Sequence, residues 1–294
     1  MSKNKWLTNL LLGIAFFWLC AVSIAADLSR PAPFHIKINT IESEFNSNVT
    51  ADPEFKATAV GLYGTFLVTD LAGGKLIAAV NYDYSLYRYE ELVFGEEVKL
   101  HALSLPISYI TSQGGWLHKV NVIPGLYSDL DEVSGEDYAV GVNYQGIYRT
   151  SPSTRWVMGA GVNRQFGDSQ AFPILGVIYK PNDHFQYALV LPQIKINYTP
   201  RQGQTWFFKF GPNGNKWNVE SQISEIQTDV DIVTKSVEMA FGSEQSISGN
   251  LSALFEVGVA GAREVELEGP LGETFDLDVE ADVFITLQLN YRPQ

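Results

Sequence analysis

Cysteine is almost absent from this sequence: Cys20 stands alone among 294 residues. One thiol makes no disulfide within the chain and no thiolate metal centre. Histidine is scarce too, and His35, His101, His118 and His184 lack metal-ligand spacing. Basic residues number 20 against 33 acids, for a net charge of −13. Phosphate binding needs clustered Lys and Arg, so no nucleic-acid partner is expected. No Gly-x-Ser-x-Gly elbow occurs. Gly159-Ala160-Gly161 opens like a dinucleotide loop, but Arg164 stands where its third glycine belongs. Neither an enzyme nor a cofactor is expected. Long apolar runs are missing after the N-terminus, which excludes a membrane helix there. Such a chain either stays in water or crosses a bilayer as a closed barrel.

What is present begins with the N-terminus. Lys3 and Lys5 precede the apolar run Leu10 to Leu19, and small residues follow at Ser23, Ala25 and Ala26. This is the pattern of a secretory signal peptide, residues 1–25, cleaved after Ala25 or Ala26. Cys20 would leave with it. So would two lysines and no acid, for a mature charge of −15. Residues 26–33 are a polar leader, and 34–294 carry one continuous rhythm.

That rhythm has period two. Val279, Ala281, Val283, Ile285, Leu287, Leu289 and Tyr291 alternate with Glu280, Asp282, Thr286, Gln288 and Asn290, with Phe284 the exception. A strand puts the two sets on opposite faces; a helix would mix them. The same alternation recurs in Leu76 to Leu86, Leu103 to Tyr109, Tyr138 to Tyr144, Trp156 to Val162 and Leu251 to Val259. About fourteen such stretches of about ten residues fit an antiparallel transmembrane β-barrel, with twelve strands the main alternative.

Two further patterns agree. Tight connections are expected at Leu71 to Gly74, Gln113-Gly114, Ser151 to Ser153, Pro181 to Asp183, Gly211 to Gly214 and Gly242 to Ser246. Longer, acidic ones are expected between them, including Glu42 to Pro53, Leu130 to Asp137, Gly167 to Gln170 and Thr199 to Gln204. Outer-membrane barrels segregate short periplasmic turns from longer outside loops in this way. Trp116, Tyr148, Trp156, Tyr179, Trp217 and Tyr291 lie on the apolar face beside a tight turn or the C-terminus. They are expected to form a periplasmic aromatic girdle.

The candidate functional residues face the other way. Glu264, Glu266 and Glu268 recur at period two, as do Asp276, Asp278, Glu280 and Asp282. They are expected opposite Val257, Val259, Val265 and Leu267, hence in the lumen or pore mouth. Rows of like charge repel across a sheet and call for cations, basic partners or open water. Arg149, Arg155, Lys195 and Lys209, with Asn143, Gln145, Asn163 and Gln165, are expected on the facing lumen wall. An acidic wall against a basic one would set a transverse field. The leading expectation is a passive channel for small solutes, with a preference for cations. A closed structural barrel binding divalent cations or lipopolysaccharide headgroups is the alternative. A lumenal lipid hydrolase using His101 or His118 is a weaker third.

Ser104-Leu105-Pro106-Ile107-Ser108, Val122 to Asp129, Phe172 to Pro181 and Leu189 to Pro192 resemble a family of uncharacterised bacterial outer-membrane β-barrel proteins. The resemblance implies the barrel and the outer membrane, and no catalytic residues. A protein of that kind is expected to meet outer-membrane lipid, lipopolysaccharide, periplasmic chaperones and the barrel-insertion machinery.

Overall fold

The computed structural model describes residues 34–44, 54–89, 97–223, 226–269 and 274–292. The signal peptide and leader lie outside them. Sixteen strands follow in order: β1 (Phe34–Glu44), β2 (Glu54–Leu71), β3 (Gly74–Tyr89), β4 (Glu97–Ser104), β5 (Ile107–Gln113), β6 (Trp116–Ser128), β7 (Tyr138–Arg149), β8 (Thr154–Phe166), β9 (Asp168–Tyr179), β10 (Phe185–Leu191), β11 (Gln193–Arg201), β12 (Gln204–Ile223), β13 (Ile226–Ser246), β14 (Leu251–Glu268), β15 (Thr274–Val279) and β16 (Asp282–Tyr291).

β4 and β5 are one stave in two pieces, since both pair with β3 and with β6. Pro106 has no N–H to give the ladder, and it falls at the break. The edges stay satisfied there, with Ala79 N donating to Pro106 O at 3.0 Å and Leu105 N to Pro124 O at 2.9 Å. β15 and β16 likewise both pair with β14. The 16 segments thus make 14 staves. The ring closes antiparallel between β1 and β16, with Phe34 opposite Tyr291.

Alternation decides the faces. On β16, Val283, Ile285, Leu287, Leu289 and Tyr291 are exposed, while Phe284, Thr286 and Asn290 are buried. On β8, Trp156, Met158 and Val162 are exposed and Val157 is buried. An exterior of exposed Leu, Val and Ile around a buried interior is the inverse of a water-soluble domain, and suits acyl chains. Phe284, the residue that breaks the apolar–polar alternation, points inward and packs with Ala240 and Ala260.

Both termini lie at one end, here the terminal end. Its connections are short, at residues 72–73, 114–115, 150–153, 180–184, 202–203 and 247–250. At the opposite, distal end the connections do not all lengthen. Residues 129–137 form a loop, but β8 meets β9 through Gly167 and β10 meets β11 through Pro192. Gly167 to Gln170 and Thr199 to Gln204 are therefore not long loops. Gly211 to Gly214 and Gly242 to Ser246, expected as turns, lie inside β12 and β13. Close approach, not turning, accounts for Gly214: a Cβ there would stand 2.6 Å from the backbone N of Gly167.

Two phase changes remake the distal end. A bulge between Gly261 and Glu264, with Ala262 at φ 47°, shifts β14 by one residue against β13. Beyond it Val265 and Leu267 are buried at 5% and 8% exposure, whereas Val257 and Val259 before it are exposed. The break at Glu280–Ala281 does the same to β15, so Val279 is buried and Val283 is not. The distal parts of β12 to β15 then present one apolar face inward. Trp217, Val219, Val230, Ile232, Val265, Leu267 and Val279 pack with Leu100, and against them lie Ala57, Tyr87, Val98 and Tyr127 from β2, β3, β4 and β6. β12 also bridges to β6 in parallel, Asn218 opposite Ser128. The outcome is a dry cap across the distal mouth.

Candidate functional site

Beneath the cap lies a chamber of about 400 Å³. Its walls come from many staves, since each reaches it with only a few residues. β1 supplies Lys37, β3 Asn81 and Asp83, β8 Asn163, Arg164 and Gln165, β11 Lys195, β12 Lys209, β13 Glu238 and Lys235, and β14 Arg263 and Glu264. Six cationic side chains meet three acidic ones on this wall. In a chain of net charge −13 that is a local inversion of sign.

The charges are organised in register. Lys195 and Lys209 sit directly opposite each other on β11 and β12. Lys209 Nζ lies 2.8 Å from the buried Glu256 carboxylate and 3.9 Å from that of Glu238. Lys195 Nζ lies 4.8 Å from the centroid of the Phe207 ring. Lys37 is buried at 8% exposure. Arg164 Nη1 donates to Lys216 O at 2.6 Å, and its guanidinium lies 4.7 Å from the Tyr127 ring centroid. Arg164 thus ties β8 to β12 while lining the chamber. Above it, the backbone N–H of Glu220 donates to Asp129 at 2.9 Å. Burial pushes the Asp129 carboxyl above its usual range, partly offset by that bond.

Toward the terminal end the interior is filled. Ile147, Val157, Phe172, Ile174, Ile178, Ala188 and Val190 form an apolar cluster joined by Leu117 and Phe166. Asn143, Gln145, Thr286 and Asn290 are buried as well. The interior is therefore a bounded chamber between packed layers rather than a wide tube.

The sequence-read residues separate into three groups. Asn163, Gln165, Lys195 and Lys209 line the chamber, and Asn143 and Gln145 face inward below it. Arg149 and Arg155 pair with each other across β7 and β8 at the terminal end, away from the chamber; Arg149 Nε donates to Ser151 O at 3.2 Å. Of the acidic rows, only Glu264 reaches the chamber wall. The sequence reading places these rows on a lumen face opposite Val265 and Leu267. They do oppose those residues, but Val265 and Leu267 point into the cap, so Glu264, Glu266, Glu268 and Asp276 turn away from it. Two lysines meet them there. Lys216 Nζ lies 2.5 Å from Glu268 and 2.9 Å from Asp231, and Lys235 bridges Glu266 and Glu264, the latter at 3.6 Å. Glu280 is exposed, Asp282 accepts from the backbone N–H of Val283 at 2.6 Å, and the side chain of Asp278 lies outside those described.

The aromatic residues read as a girdle fall in two places. Trp116 and Tyr148 meet at 5.0 Å between ring centroids, and Trp156, Tyr179 and Tyr291 are exposed near the terminal end. Trp217 is the exception. It is 4% exposed in the distal cap, edge-on to Tyr87 at 6.4 Å. Sequence reading passed over Tyr198 and Phe185, stacked at 4.7 Å near the turn at 202–203. The signal for them was the turn itself, misread as a long loop.

The histidines named for a hydrolase do not face inward. His101 pairs across the sheet with Tyr84, on the face of exposed Leu103, and its Nδ1 lies 2.8 Å from Tyr82 OH. His118 lies between Trp116 and Tyr144, with Nδ1 2.9 Å from Tyr144 OH. Both belong to the exterior.

A closed 14-stave antiparallel ring with an apolar exterior and a chamber inside defines a β-barrel of the transmembrane type. Among solved structures, one is similar at the level of fold, and two others are more distant. The COG4313 outer membrane channel from Pseudomonas putida F1 has a TM-score of 0.51 at 10% identity, over 94% of this chain and 100% of that one. The TodX monoaromatic hydrocarbon channel, as a deltaS2 mutant, has a TM-score of 0.42 at 8% identity, over 93% and 92%. The NanC porin has 0.36 at 6%, over 88% and 100%. The chain belongs to the family described as Domain of unknown function (DUF6268), whose model matches residues 79–290. No curated protein matches it.

Proposed function

We propose that this protein is an outer-membrane channel that passes small solutes singly and passively through its chamber, favouring anionic or zwitterionic ones. The observation that supports this most is the chamber's lining, with Lys37, Lys195, Lys209 and Arg263 set against Asp83 and Glu238. Charges at a constriction with low-dielectric walls govern which ions dwell there. The acidic rows give less support to a cation preference, because Lys216 pairs with Glu268 and Asp231, and Lys235 with Glu266 and Glu264. The terminal end would face the periplasm and the cap the outside. Lipid, lipopolysaccharide and the insertion machinery would be its general partners.

The test is electrical. Purified protein in a planar bilayer under a KCl gradient should show steps with a reversal potential on the chloride side. Lys195→Gln should move it toward potassium. Absence of steps, together with no swelling of loaded liposomes in arabinose, would remove the channel reading.

A second reading has one observation in its favour. Carboxylate oxygens of Glu264, Glu266 and Asp276 lie within 4.8 Å of one another, close enough to share a divalent cation or bridge one to a lipopolysaccharide phosphate. Lys235 already occupies that neighbourhood, which ranks this reading second. Calcium that raised the unfolding temperature of the wild type, with no conductance, would reverse the order.

A further inference from the structure

The wall of the ring is not hydrogen-bonded all the way up. β10 pairs with β9 only from Tyr179 to Leu175, so residues 168–174 of β9 have no partner on that side. β11 pairs with β12 only up to Phe210, so residues 211–217 of β12 have no strand partner on theirs, although Lys216 O accepts from Arg164 near the top. Between these two free edges stands a gap. Its sill is the β10–β11 turn at Leu191, Pro192 and Gln193. Its lintel is the approach of Gly167 to Gly214.

Three facts give the gap a use. It opens from the chamber, whose lining includes Ser169 on one jamb, Gln193 on the sill and Gly211 to Gly214 on the other jamb. Its lower part also stands within the apolar belt. With a rise of about 3.4 Å per residue and a tilt of about 40°, Ile174 and Asp168 stand about 13 and 29 Å above Tyr179, against an apolar band about 25 Å tall. Leu175, Leu189, Leu191 and Phe210 form its outer rim, each at least 40% exposed. Finally, charge waits just inside. Ile194 and Phe210 are the last register pair under the sill, and Lys195 and Lys209 are the next.

We infer that this gap is a lateral portal between chamber and membrane, and that the site behind it binds an amphipathic anion. The carboxylate or sulfonate head would meet the Lys195 and Lys209 ammonium groups, and the apolar tail would lie through the gap against Leu191 and Phe210. A polar solute gains nothing from such an opening, and a neutral hydrocarbon gains nothing from the lysines. A molecule with both ends uses both. At about 400 Å³ the chamber sits at the low end of small-molecule pockets, which run about 300–1,000 Å³, so it holds the head and the first carbons while the rest of the tail passes out through the gap.

This inference rests on the channel reading for its transport step but not for its binding step, and the test separates them. The probe is 11-(dansylamino)undecanoic acid, titrated by fluorescence into the full-length protein in detergent, with arabinose swelling of proteoliposomes measured in parallel. Wild type should bind the probe in saturable fashion. Gln193→Trp, which places an indole on the sill, should weaken binding at least tenfold and lower the ratio of probe to arabinose flux at least fivefold. Lys195→Gln should weaken the carboxylate probe about tenfold and leave its methyl ester unaffected. Heat-modified gel migration checks that each variant is folded. No saturable binding to wild type, equal affinity for acid and ester, or a parallel fall of probe and arabinose in Gln193→Trp would overturn the portal. Binding that follows the expected pattern without any arabinose flux would support the portal and sink the channel.

Discussion

β10 and β11 hold 7 and 9 residues; their neighbours β12 and β13 hold 20 and 21. A tilted strand needs about 9–11 residues to cross a bilayer. One hairpin therefore falls at or below that need and the next overshoots it about twofold. The shortfall leaves free edges in the wall, and the excess folds over the mouth and seals it. Both consequences meet at Gly214, where the long strand touches the β8–β9 turn. The axial route is narrowed by the same strand that borders the lateral one. Strand length, rather than loop insertion, shapes this barrel.

The comparison breaks most sharply at the cap. Trp217→Ala removes the largest side chain of the cap cluster and should cost about 3–5 kcal/mol if the cap unfolds with the ring. Urea unfolding in detergent micelles measures it, and single-channel conductance should rise as the mouth loosens. An unchanged midpoint with faster hydrogen exchange confined to residues 212–236 would make the cap a separate unit. Gly214→Val comes next. Its side chain would meet backbone at both Gly167 and Thr234, an overpacking worth about 1–3 kcal/mol. It should part the lintel and speed entry of the dansyl probe; slower entry would mean that the gap is not the route. The smallest effect belongs to Lys235→Gln on the far face of the long hairpin. Partly exposed pairs are worth about 1 kcal/mol or less, and 0.5 M salt should erase the difference. The variant should also gain a calcium-dependent rise in melting temperature that the wild type lacks, since Glu264 and Glu266 would lose their lysine.

The regular staves were legible because alternation is local. Val283 to Tyr291 and Trp156 to Val162 needed only their own residues to declare a face. The cap was not legible, for a reason in the backbone. Reading Val265 and Leu267 as a continuation of Val257 and Val259 assumes that the count by twos is never interrupted. Ala262 interrupts it at φ 47°, and alanine gives no warning of such a conformation where glycine would. The same hidden step at Glu280–Ala281 put the acidic rows on the wrong side. Gly211 to Gly214 misled in the opposite sense: glycines that look like a turn instead admit a neighbouring backbone. Trp217 followed from that error, since a turn at 211–214 would have carried it to the girdle. The stave count agrees at fourteen although the turn expected at Gly211 to Gly214 would have cut β12 in two.

The first and last staves, β1 and β16, hold each other through eight facing residues, Phe34 to Ile41 against Tyr291 to Phe284. A ribosome delivers those two partners at opposite ends of synthesis. Until the final residues arrive, the polypeptide has two open rims and nothing to join them, and it must be kept from pairing with copies of itself. Removing β16 would leave β1 and the terminal half of β14 each without a partner on one side, so this chain should tolerate insertions at its distal hairpins far better than loss of β16.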